Sequence, residues 1–277
     1  MEKYDLHVHT TASDGALKPG EAVRLAKETG LAGIAITDHD TIAGLQEGIS
    51  AAREAGIRVI PGVEFSVESE KEMHILGYCI GHSGAIQKVF GNLNAARGER
   101  NPRIVEMLRR MGMEITMEEV EAEAAGSVIG RPHIARVLLK KGYVQDVAEA
   151  FDKYLAIGKP AYVYKRKITA HRAIELISQE GGYAVLAHPK YLELKDYELE
   201  QLLQALKGEG LWGIEAFYPE HSPGERDLYL RLAKKYGLHA TCGTDYHDSA
   251  RNTIPLGYGW NDCKELEETI EALLNSI

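Results

Sequence analysis

Histidines and carboxylates recur along this sequence at spacings that suit the binding of divalent metal ions. His7 and His9 lie two residues apart in an alternating stretch that is typical of a β-strand, so their side chains are expected to point to the same side. Two imidazoles placed in this way can bind one ion together. Asp14 follows on the loop behind them. The beginning of the chain therefore predicts part of a metal site.

Ligand-type residues also lie at the ends of other predicted strands. They are His39, Glu64, His74, His188, Asp245 and His247. Because the carboxyl ends of parallel strands meet at one rim, residues that are distant in the sequence are expected to converge there. Each pattern alone also occurs for structural reasons, such as an aspartate that fixes a turn. Their recurrence at strand after strand favours a metal cluster.

The number and type of these residues exceed what a single zinc ion needs. Several carboxylates and imidazoles without thiolates predict two or three divalent ions, with manganese favoured and iron or zinc as alternatives. Ions held roughly 3.5–4 Å apart would generate a bridging hydroxide and stabilise a phosphoryl oxygen. Such a cluster suits the hydrolysis of a phosphate ester.

Short apolar runs alternate with helical segments in the first and last parts of the chain. The clearest runs are GIAIT (33–37), IRVIPGVEF (57–65), MHILGYCI (73–80), YAVLA (183–187), WGIEAF (212–217) and HATCG (239–243). Buried strands that are separated by helices imply parallel βαβ units. This many of them predict an α/β barrel.

The alternation stops between residues 86 and 165, where one helical segment follows another. Thr116 and Glu119, three residues apart, form the signature of a capping box at the start of one of these helices. An all-helical block within a βα alternation indicates an inserted subdomain. The sequence therefore predicts a barrel built from residues 1–85 and 166–277, with a helical cap formed by residues 86–165.

Composition narrows the class of protein further. The chain has 277 residues and a net charge of −9, which argues against broad binding to a nucleic-acid backbone. Cys79, Cys242 and Cys263 are widely spaced and form no CxxC motif, so neither disulfides nor a thiolate zinc site is indicated. We expect a cytoplasmic protein without a signal peptide or membrane-spanning segment.

The metal-ligand patterns also resemble a known family. The segments HVHTTASDG, ITDHD, GVE, HILGY, AHP and TDYH resemble, in this order, the motifs of the polymerase-and-histidinol-phosphatase (PHP) phosphoesterases. The resemblance covers essentially the whole chain and implies a distorted (β/α)7 barrel with a trinuclear metal centre. It implies these ligands: His7, His9, Asp14, His39, Glu64, His74, His188, Asp245 and His247. Glu64 would bridge two ions, while Asp14, His39 and His247 would hold the third.

The helical insertion and the segment GRPHIARVL resemble one subgroup, that of bacterial 3′,5′-nucleoside bisphosphate phosphatases and 5′→3′ exoribonucleases. This resemblance implies that metal hydroxide attacks the 3′-phosphate of a nucleoside bisphosphate, or the 5′ end of a short RNA. Such a substrate is the only partner expected, with no membrane and no stable protein partner. Another small phosphomonoester, such as histidinol phosphate, is an alternative. A non-catalytic regulatory domain is disfavoured, because every motif position holds a ligand-type residue.

Several further residues are candidates for binding the substrate. Ser127, Arg131 and His133 in SVIGRPH, and Lys159 in AIGKPAYV, could bind a second phosphate. Arg131 and His133 could instead serve only the start of a helix. His221 follows the strand WGIEAF, where it could bind phosphate or protonate the leaving oxygen, or could lie in a surface loop. Asp245 is expected to act in catalysis as well as in metal binding.

Two acidic residues near the predicted ligands are candidates for a supporting role. Glu215 lies inside the strand WGIEAF, and Asp38 precedes His39. Either could orient a ligand histidine by accepting a hydrogen bond from its ring. Asp38 could alternatively fix only the loop.

Overall fold

The chain folds into two compact units, which the computed structural model describes at residues 2–81, 84–124, 129–164, 167–248, 254–258 and 263–277. Residues 1–87 together with 167–277 form the barrel unit. Residues 88–166 form the helical unit.

Seven strands of the barrel unit form one sheet in sequence order. They are β1 (Tyr4–Val8), β2 (Gly33–Ile36), β3 (Arg58–Ser66), β4 (His74–Tyr78), β5 (Tyr183–Leu186), β6 (Gly213–Phe217) and β7 (His239–Cys242). Val8 at the end of β1 pairs with Tyr246 beyond β7, so the sheet curls into a nearly closed barrel. The predicted seven-stranded α/β barrel is confirmed.

The direction of β4 differs from the parallel arrangement that the sequence predicts. It pairs antiparallel to both β3 and β5, whereas the other neighbouring strands run parallel. Only residues 67–73 connect β3 to β4, which is too short for the helical crossover that a parallel pair requires. The first residue of β4, His74, therefore pairs with Ser66 at the carboxyl end of β3.

Ten α-helices are described. They are α1 (Pro19–Glu28), α2 (Leu45–Ala55), α3 (Gly84–Arg110), α4 (Met117–Ala124), α5 (Arg131–Lys140), α6 (Val147–Ala150), α7 (Ala170–Gln179), α8 (Asp196–Glu209), α9 (Pro223–Tyr236) and α10 (Lys264–Leu274). A π-helical turn (Phe151–Leu155) continues α6, and a 3-10 turn (Pro189–Leu192) follows β5. No helix in these described ranges is long and apolar enough to cross a membrane.

Local sequence signals explain where several of these helices begin and end. Ser222 caps α9 by accepting a hydrogen bond from the Glu225 N–H, and Pro223 occupies the first helical position. Helix α2 ends at Gly56, whose φ of 68° lies in the left-handed region that favours glycine. Such signals place the helices of the barrel unit between consecutive strands.

Strands β1, β2, β4 and β6 are buried over their whole length. Strands with both faces covered are typical of a sheet with helices outside and packed side chains inside. The polar residues on these strands therefore lie away from water, and His7 and Glu215 have no exposed surface. A buried polar residue needs a partner, which directs attention to what these side chains contact.

The helical unit has an apolar core of its own. It includes Ile104 and Leu108 on α3, Val120 on α4, and Ile134 and Leu138 on α5. The predicted capping box is present, since the Thr116 N–H donates to Glu119 and the Glu119 N–H donates to Thr116 Oγ1. This core explains how an inserted segment can hold its own fold.

Candidate metal centre

The nine predicted ligands all belong to the barrel unit, and the strands bring them to one rim. Seven lie at or beyond the carboxyl ends of parallel strands, or in the loop that follows β1. Glu64 is on β3, and His74 reaches the same rim because β4 runs in the opposite direction. The antiparallel strand therefore explains how a ligand at the start of a strand joins ligands that follow strand ends.

Glu64 is the residue around which the others gather. Its Oε2 atom lies 3.4 Å from His7 Nε2, 3.2 Å from His9 Nε2 and 2.9 Å from His39 Nδ1. Its Oε1 atom lies 2.8 Å from His74 Nδ1 and 3.0 Å from His188 Nε2. The two oxygens of one fully buried carboxylate thus face two different sets of imidazole nitrogens.

Three overlapping groups of donor atoms are close enough to hold a cation each. They are His7, His9, Glu64 and Asp245; His39, Glu64 and His74; and His9, Asp14, His39 and His247. Within each group the donor atoms lie within 4.8 Å of one another. His188 Nε2 lies 3.3 Å from His74 Nδ1, so it joins the second group.

Several of the converging atoms lack the hydrogen bonds that buried polar atoms normally make. His9 Nδ1, His39 Nδ1 and Glu64 Oε2 are buried and form none with the part of the chain that the structure describes. His39 Nδ1 and Glu64 Oε2 are only 2.9 Å apart, yet their geometry is not that of a hydrogen bond. Buried nitrogen and carboxylate oxygen atoms that come together without forming hydrogen bonds suit a cation. The residues present therefore fit divalent metal ions.

Contacts outside the cluster orient the ligand rings. The His7 Nδ1–H group donates to Glu215 Oε1 at 3.1 Å, which leaves the Nε2 lone pair directed at the cluster. Glu215 Oε2 also accepts the backbone N–H of His188 at 2.7 Å. The His247 Nδ1–H donates to the Asp245 carbonyl at 2.8 Å, so its Nε2 faces Asp14 at 3.2 Å. Glu215 thus has the supporting position that its place in the strand suggests.

The cluster also shifts the protonation of its members. Burial lowers the pKa of His9, but Asp245 and Glu64 outweigh this effect and raise the pKa to about 10. Burial alone would raise the pKa of Glu64, but the charges of His74, His39 and His7 hold it well below the usual range. Protons therefore balance the buried carboxylates when no other cation does, and metal ions must compete with them.

Comparison with known proteins agrees with this geometry. The PHP domain model matches residues 5–165. The chain belongs to the PHP family. It is 36% identical over 250 residues to a 5′-3′ exoribonuclease of Haemophilus influenzae, which covers 89% of this chain and 90% of that protein. It is 34% identical over 267 residues to a 3′,5′-nucleoside bisphosphate phosphatase of Chromobacterium violaceum, covering 93% and 92%.

The fold is likewise that of a solved structure. A candidate metal-dependent phosphoesterase from Bifidobacterium adolescentis superposes with a TM-score of 0.88 at 31% identity, over 99% of this chain and 96% of that one. The PHP chain described here is therefore a metal-dependent phosphoesterase, as its ligand patterns predict.

His221 lies half-buried in the loop between β6 and α9, on the same side of the barrel unit as His188. Its ring centroid is 5.1 Å from that of Tyr218, whose own ring lies 5.7 Å from His188. The His221 Nδ1–H donates to the Ala216 carbonyl at 3.1 Å. The Nε2 atom is buried and forms no hydrogen bond with the described residues. Burial also lowers the pKa of His221, so this nitrogen is an acceptor at neutral pH.

Two tyrosines that the sequence does not identify as functional complete this side of the centre. The Tyr218 hydroxyl donates to Asp245 Oδ2 at 3.4 Å, and it lies 3.1 Å from the Tyr191 hydroxyl. Either tyrosine hydroxyl can be the donor in the contact between them. Tyr191 follows His188 by three residues, and that spacing was the only available signal.

The predicted substrate residues of the insertion lie in the helical unit. The Arg131 Nη1–H donates to the Leu155 carbonyl at 2.9 Å, and the guanidinium carbon lies 5.6 Å from the centre of the Phe151 ring and 5.5 Å from that of the Tyr162 ring. His133 Nδ1 accepts the Gly130 N–H at 2.9 Å, as the structural alternative for this residue predicts. Lys159 Nζ contacts Asp152 at 3.2 Å. Ser127 lies outside the described residues.

Proposed function

We propose that this chain hydrolyses phosphate esters of nucleotides, removing the 3′-phosphate from nucleoside 3′,5′-bisphosphates or acting on the 5′ end of short RNA. The convergence of three overlapping donor groups, two of which share Glu64, supports a hydrolytic metal centre. The names of the two relatives support the substrate class, since one is a bisphosphate phosphatase and the other an exoribonuclease.

We further propose three divalent ions, with manganese preferred and iron or zinc as alternatives. Imidazole and carboxylate ligands without thiolates suit these metals. His7, His9 and Asp245 would hold the first ion and His74 and His188 the second, with Glu64 between them; Asp14, His39 and His247 would hold the third. Bound ions would lower the pKa of water and neutralise charge on the phosphoryl oxygens. A cytoplasmic location stays a prediction from the cysteine pattern.

The protein's own side chains supply orientation and proton acceptance. Asp245 presents Oδ1 to the imidazoles, 3.3 Å from His7 Nε2 and 3.0 Å from His9 Nε2, while Tyr218 holds its other oxygen. His221 offers a neutral Nε2, which can accept a proton or a hydrogen bond from water or a substrate hydroxyl. With Nδ1–H bonded to the Ala216 carbonyl, a neutral His221 is better suited to accept a proton than to donate one to the leaving oxygen.

Arg131 is the residue of the insertion best prepared to bind a second phosphate. Its guanidinium contacts the Leu155 carbonyl and the rings of Phe151 and Tyr162, and arginine is the side chain that binds phosphate with two parallel hydrogen bonds. An arginine fixed before binding loses less side-chain freedom on contact with the anion. Selection by Arg131 of substrates that carry two phosphates stays a prediction from the GRPH motif.

The decisive experiment measures phosphate release from adenosine 3′,5′-bisphosphate, 3′-AMP, 5′-AMP, histidinol phosphate and a short 5′-phosphorylated RNA. We expect manganese-dependent hydrolysis that is abolished by chelation, with the bisphosphate or the RNA preferred. A preference for histidinol phosphate would contradict the proposed substrate class. Full activity of chelator-treated, metal-free protein would contradict the metal centre.

Arg131→Met tests the second-phosphate contact, and Arg136→Met on the same helix is its matched control. Arg136 pairs with Glu123 at 2.8 Å and has no proposed role in binding. Loss of one charge-assisted contact costs about 1.5–3 kcal/mol, or roughly 10- to 150-fold in kcat/KM. We expect this loss for Arg131→Met on the bisphosphate but not on an aryl phosphate. Equal losses on both substrates would assign Arg131 to the fold of the insertion.

A further inference from the structure

Two buried aspartates near the metal centre do not face it. Asp5 on β1 has no exposed surface, and its carboxylate accepts four hydrogen bonds. Oδ1 accepts the N–H groups of His7 at 3.2 Å and Thr244 at 3.0 Å. Oδ2 accepts the Thr244 hydroxyl at 2.5 Å and the Gly257 N–H at 2.8 Å. These four bonds use all the acceptor positions of a carboxylate.

Asp38, just after β2, binds a different loop in a similar way. Its Oδ1 accepts the Thr10 N–H at 2.7 Å and the Ser13 hydroxyl at 2.6 Å, and its Oδ2 accepts the Thr10 hydroxyl at 2.7 Å. In both cases an aspartate on or just after one strand binds the backbone N–H and the hydroxyl of a threonine in the loop of a neighbouring strand. Asp38 makes no contact with an imidazole among the hydrogen bonds and ion pairs of the described residues.

Each of these loops carries a metal-ligand carboxylate. Thr244 directly precedes Asp245, whose φ of 52° is in the left-handed region and is unfavourable for a residue other than glycine. Thr10 and Ser13 precede Asp14 on the loop after β1. Since three of the nine ligands are carboxylates, and Glu64 lies within a strand, the two aspartates hold both ligand carboxylates that lie on loops.

We propose that Asp5 and Asp38 are positioning residues that each set the metal affinity of one part of the centre. Asp5 holds the loop of Asp245 and so acts on the position that includes His7 and His9. Asp38 holds the loop of Asp14 and so acts on the position that includes His39 and His247. The inference rests on the proposed metal centre. It adds that two residues which bind no metal set the affinity of individual ion-binding positions.

The effect follows from the free energy needed to order a loop. A ligand carboxylate on an unrestrained loop must be ordered when the ion binds, and that cost reduces the affinity. Loss of an outer partner of a metal ligand typically weakens metal binding about 10- to 100-fold. The two aspartates are therefore expected to change affinity without changing the set of ligands.

Replacement by asparagine should affect the two positions unequally. In Asp5→Asn either orientation of the amide places an NH2 group against a backbone N–H, because each Asp5 oxygen accepts at least one. In Asp38→Asn the remaining oxygen can still accept the Thr10 N–H, and only the Thr10 hydroxyl faces the new NH2 group. We expect a loss of manganese affinity near 100-fold for Asp5→Asn and near 10-fold for Asp38→Asn, as orders of magnitude.

The experiment combines manganese titration calorimetry with elemental analysis of the full-length chain. Asp38→Asn should weaken one ion, and it should add no further loss of metal when combined with Asp14→Asn, which removes a ligand of the same position. Asp5→Asn combined with Asp14→Asn should lose more metal than either single variant. Tyr78→Phe is the matched control, since it removes a buried hydrogen bond to the Leu6 carbonyl of 2.9 Å without touching either loop.

Thr244→Val and Thr10→Val repeat the test if an aspartate variant does not fold, because each removes one hydroxyl from the same contact. Equal loss of all ions in Asp5→Asn and Asp38→Asn would overturn the inference. It would also be overturned if the manganese affinity of these variants equalled that of Tyr78→Phe. Wild-type protein that binds no manganese would instead contradict the proposed centre itself. The two failures are therefore distinguishable.

Discussion

Replacing Glu64 by glutamine is the sharpest test of the centre, because one residue contacts both sets of histidines. Glu64→Gln preserves the shape of the side chain but removes its charge and one of its two acceptor oxygens. Either orientation of the amide places an NH2 group within 3.4 Å of imidazole nitrogens, on the side of His7 and His9 or on the side of His74 and His188. The variant therefore cannot bridge two ions.

The magnitude can be worked out from binding linkage. At a metal concentration of 100 times the dissociation constant, binding stabilises the folded state by about 2.7 kcal/mol. The barrel unit has roughly 200 residues, so its unfolding entropy near the melting temperature is about 0.4 kcal/mol/K, and the corresponding rise in Tm is about 6–7 °C. Loss of an outer partner alone weakens a site by about 10- to 100-fold, so loss of a direct ligand should weaken it at least about 100-fold. Stabilisation at the same concentration then falls to about 0.4 kcal/mol, or a rise in Tm of about 1 °C.

The assay is thermal unfolding of each variant with and without manganese. For each variant, the Tm with manganese is compared with the Tm of the same variant without manganese. This comparison is needed because Glu64→Gln also changes the stability of the metal-free protein, by removing a carboxylate that pairs with protonated histidines. Glu68→Gln is the matched control, because it makes the same change at an exposed position beyond β3. If manganese raised the Tm of Glu64→Gln as much as that of the wild type, Glu64 could not be the residue that bridges two ions.

Three further outcomes are expected. Asp14→Asn, which alters a residue 3.2 Å from His247 Nε2, should lose one ion and most of the phosphatase rate while retaining the other ions, as measured by elemental analysis; complete loss of metal would argue against a separable position. Because the pKa of His9 is raised from 6.5 to about 10, the stability that its proton provides to the metal-free protein is fully present below about pH 6.5 and is lost as the pH rises towards 10. The manganese-induced rise in Tm should therefore increase between pH 6 and pH 8.5, and a rise independent of pH would mean that no proton is displaced. His221→Gln should lower kcat by roughly 10²- to 10⁴-fold with the metal content unchanged, and loss of metal in this variant would place His221 among the ligands instead.

The barrel and the convergence of the ligand histidines were predictable because both depend on simple periodicity. Strand after strand ends in a histidine or carboxylate, and the carboxyl ends of parallel strands share one rim. The direction of β4 was not predicted, although the short connection after β3 excludes a helical crossover. His74 could thus be identified as a ligand type before the reason for its position was known.

Residues whose roles depend on the direction of one side chain could not be assigned from sequence. The sequence does not show that Arg131 contacts the Leu155 carbonyl and the rings of Phe151 and Tyr162. His133 uses Nδ1 at the helix start, which the motif GRPH does not specify. The Tyr191–Tyr218 pair depends on two hydroxyls from different loops, and aromatic residues near strand ends usually serve packing. These roles depend on side-chain rotamers, and the sequence pattern alone does not determine rotamers.

The acidic residues show most clearly what distinguishes a ligand from a support. Asp5, Asp38 and Glu64 are all buried acidic residues of the barrel unit, so burial alone does not separate them. Asp5 accepts four hydrogen bonds from N–H and O–H donors, and Asp38 accepts three, so few of their lone pairs remain for a cation. Glu64 Oε2 faces imidazole nitrogens at 2.9–3.4 Å and accepts no hydrogen bond from the described residues. A buried carboxylate whose lone pairs are already used by hydrogen bonds holds a loop in place, whereas one whose lone pairs are unused can bind the metal. The donors that decide between these roles lie on loops that are distant in the sequence.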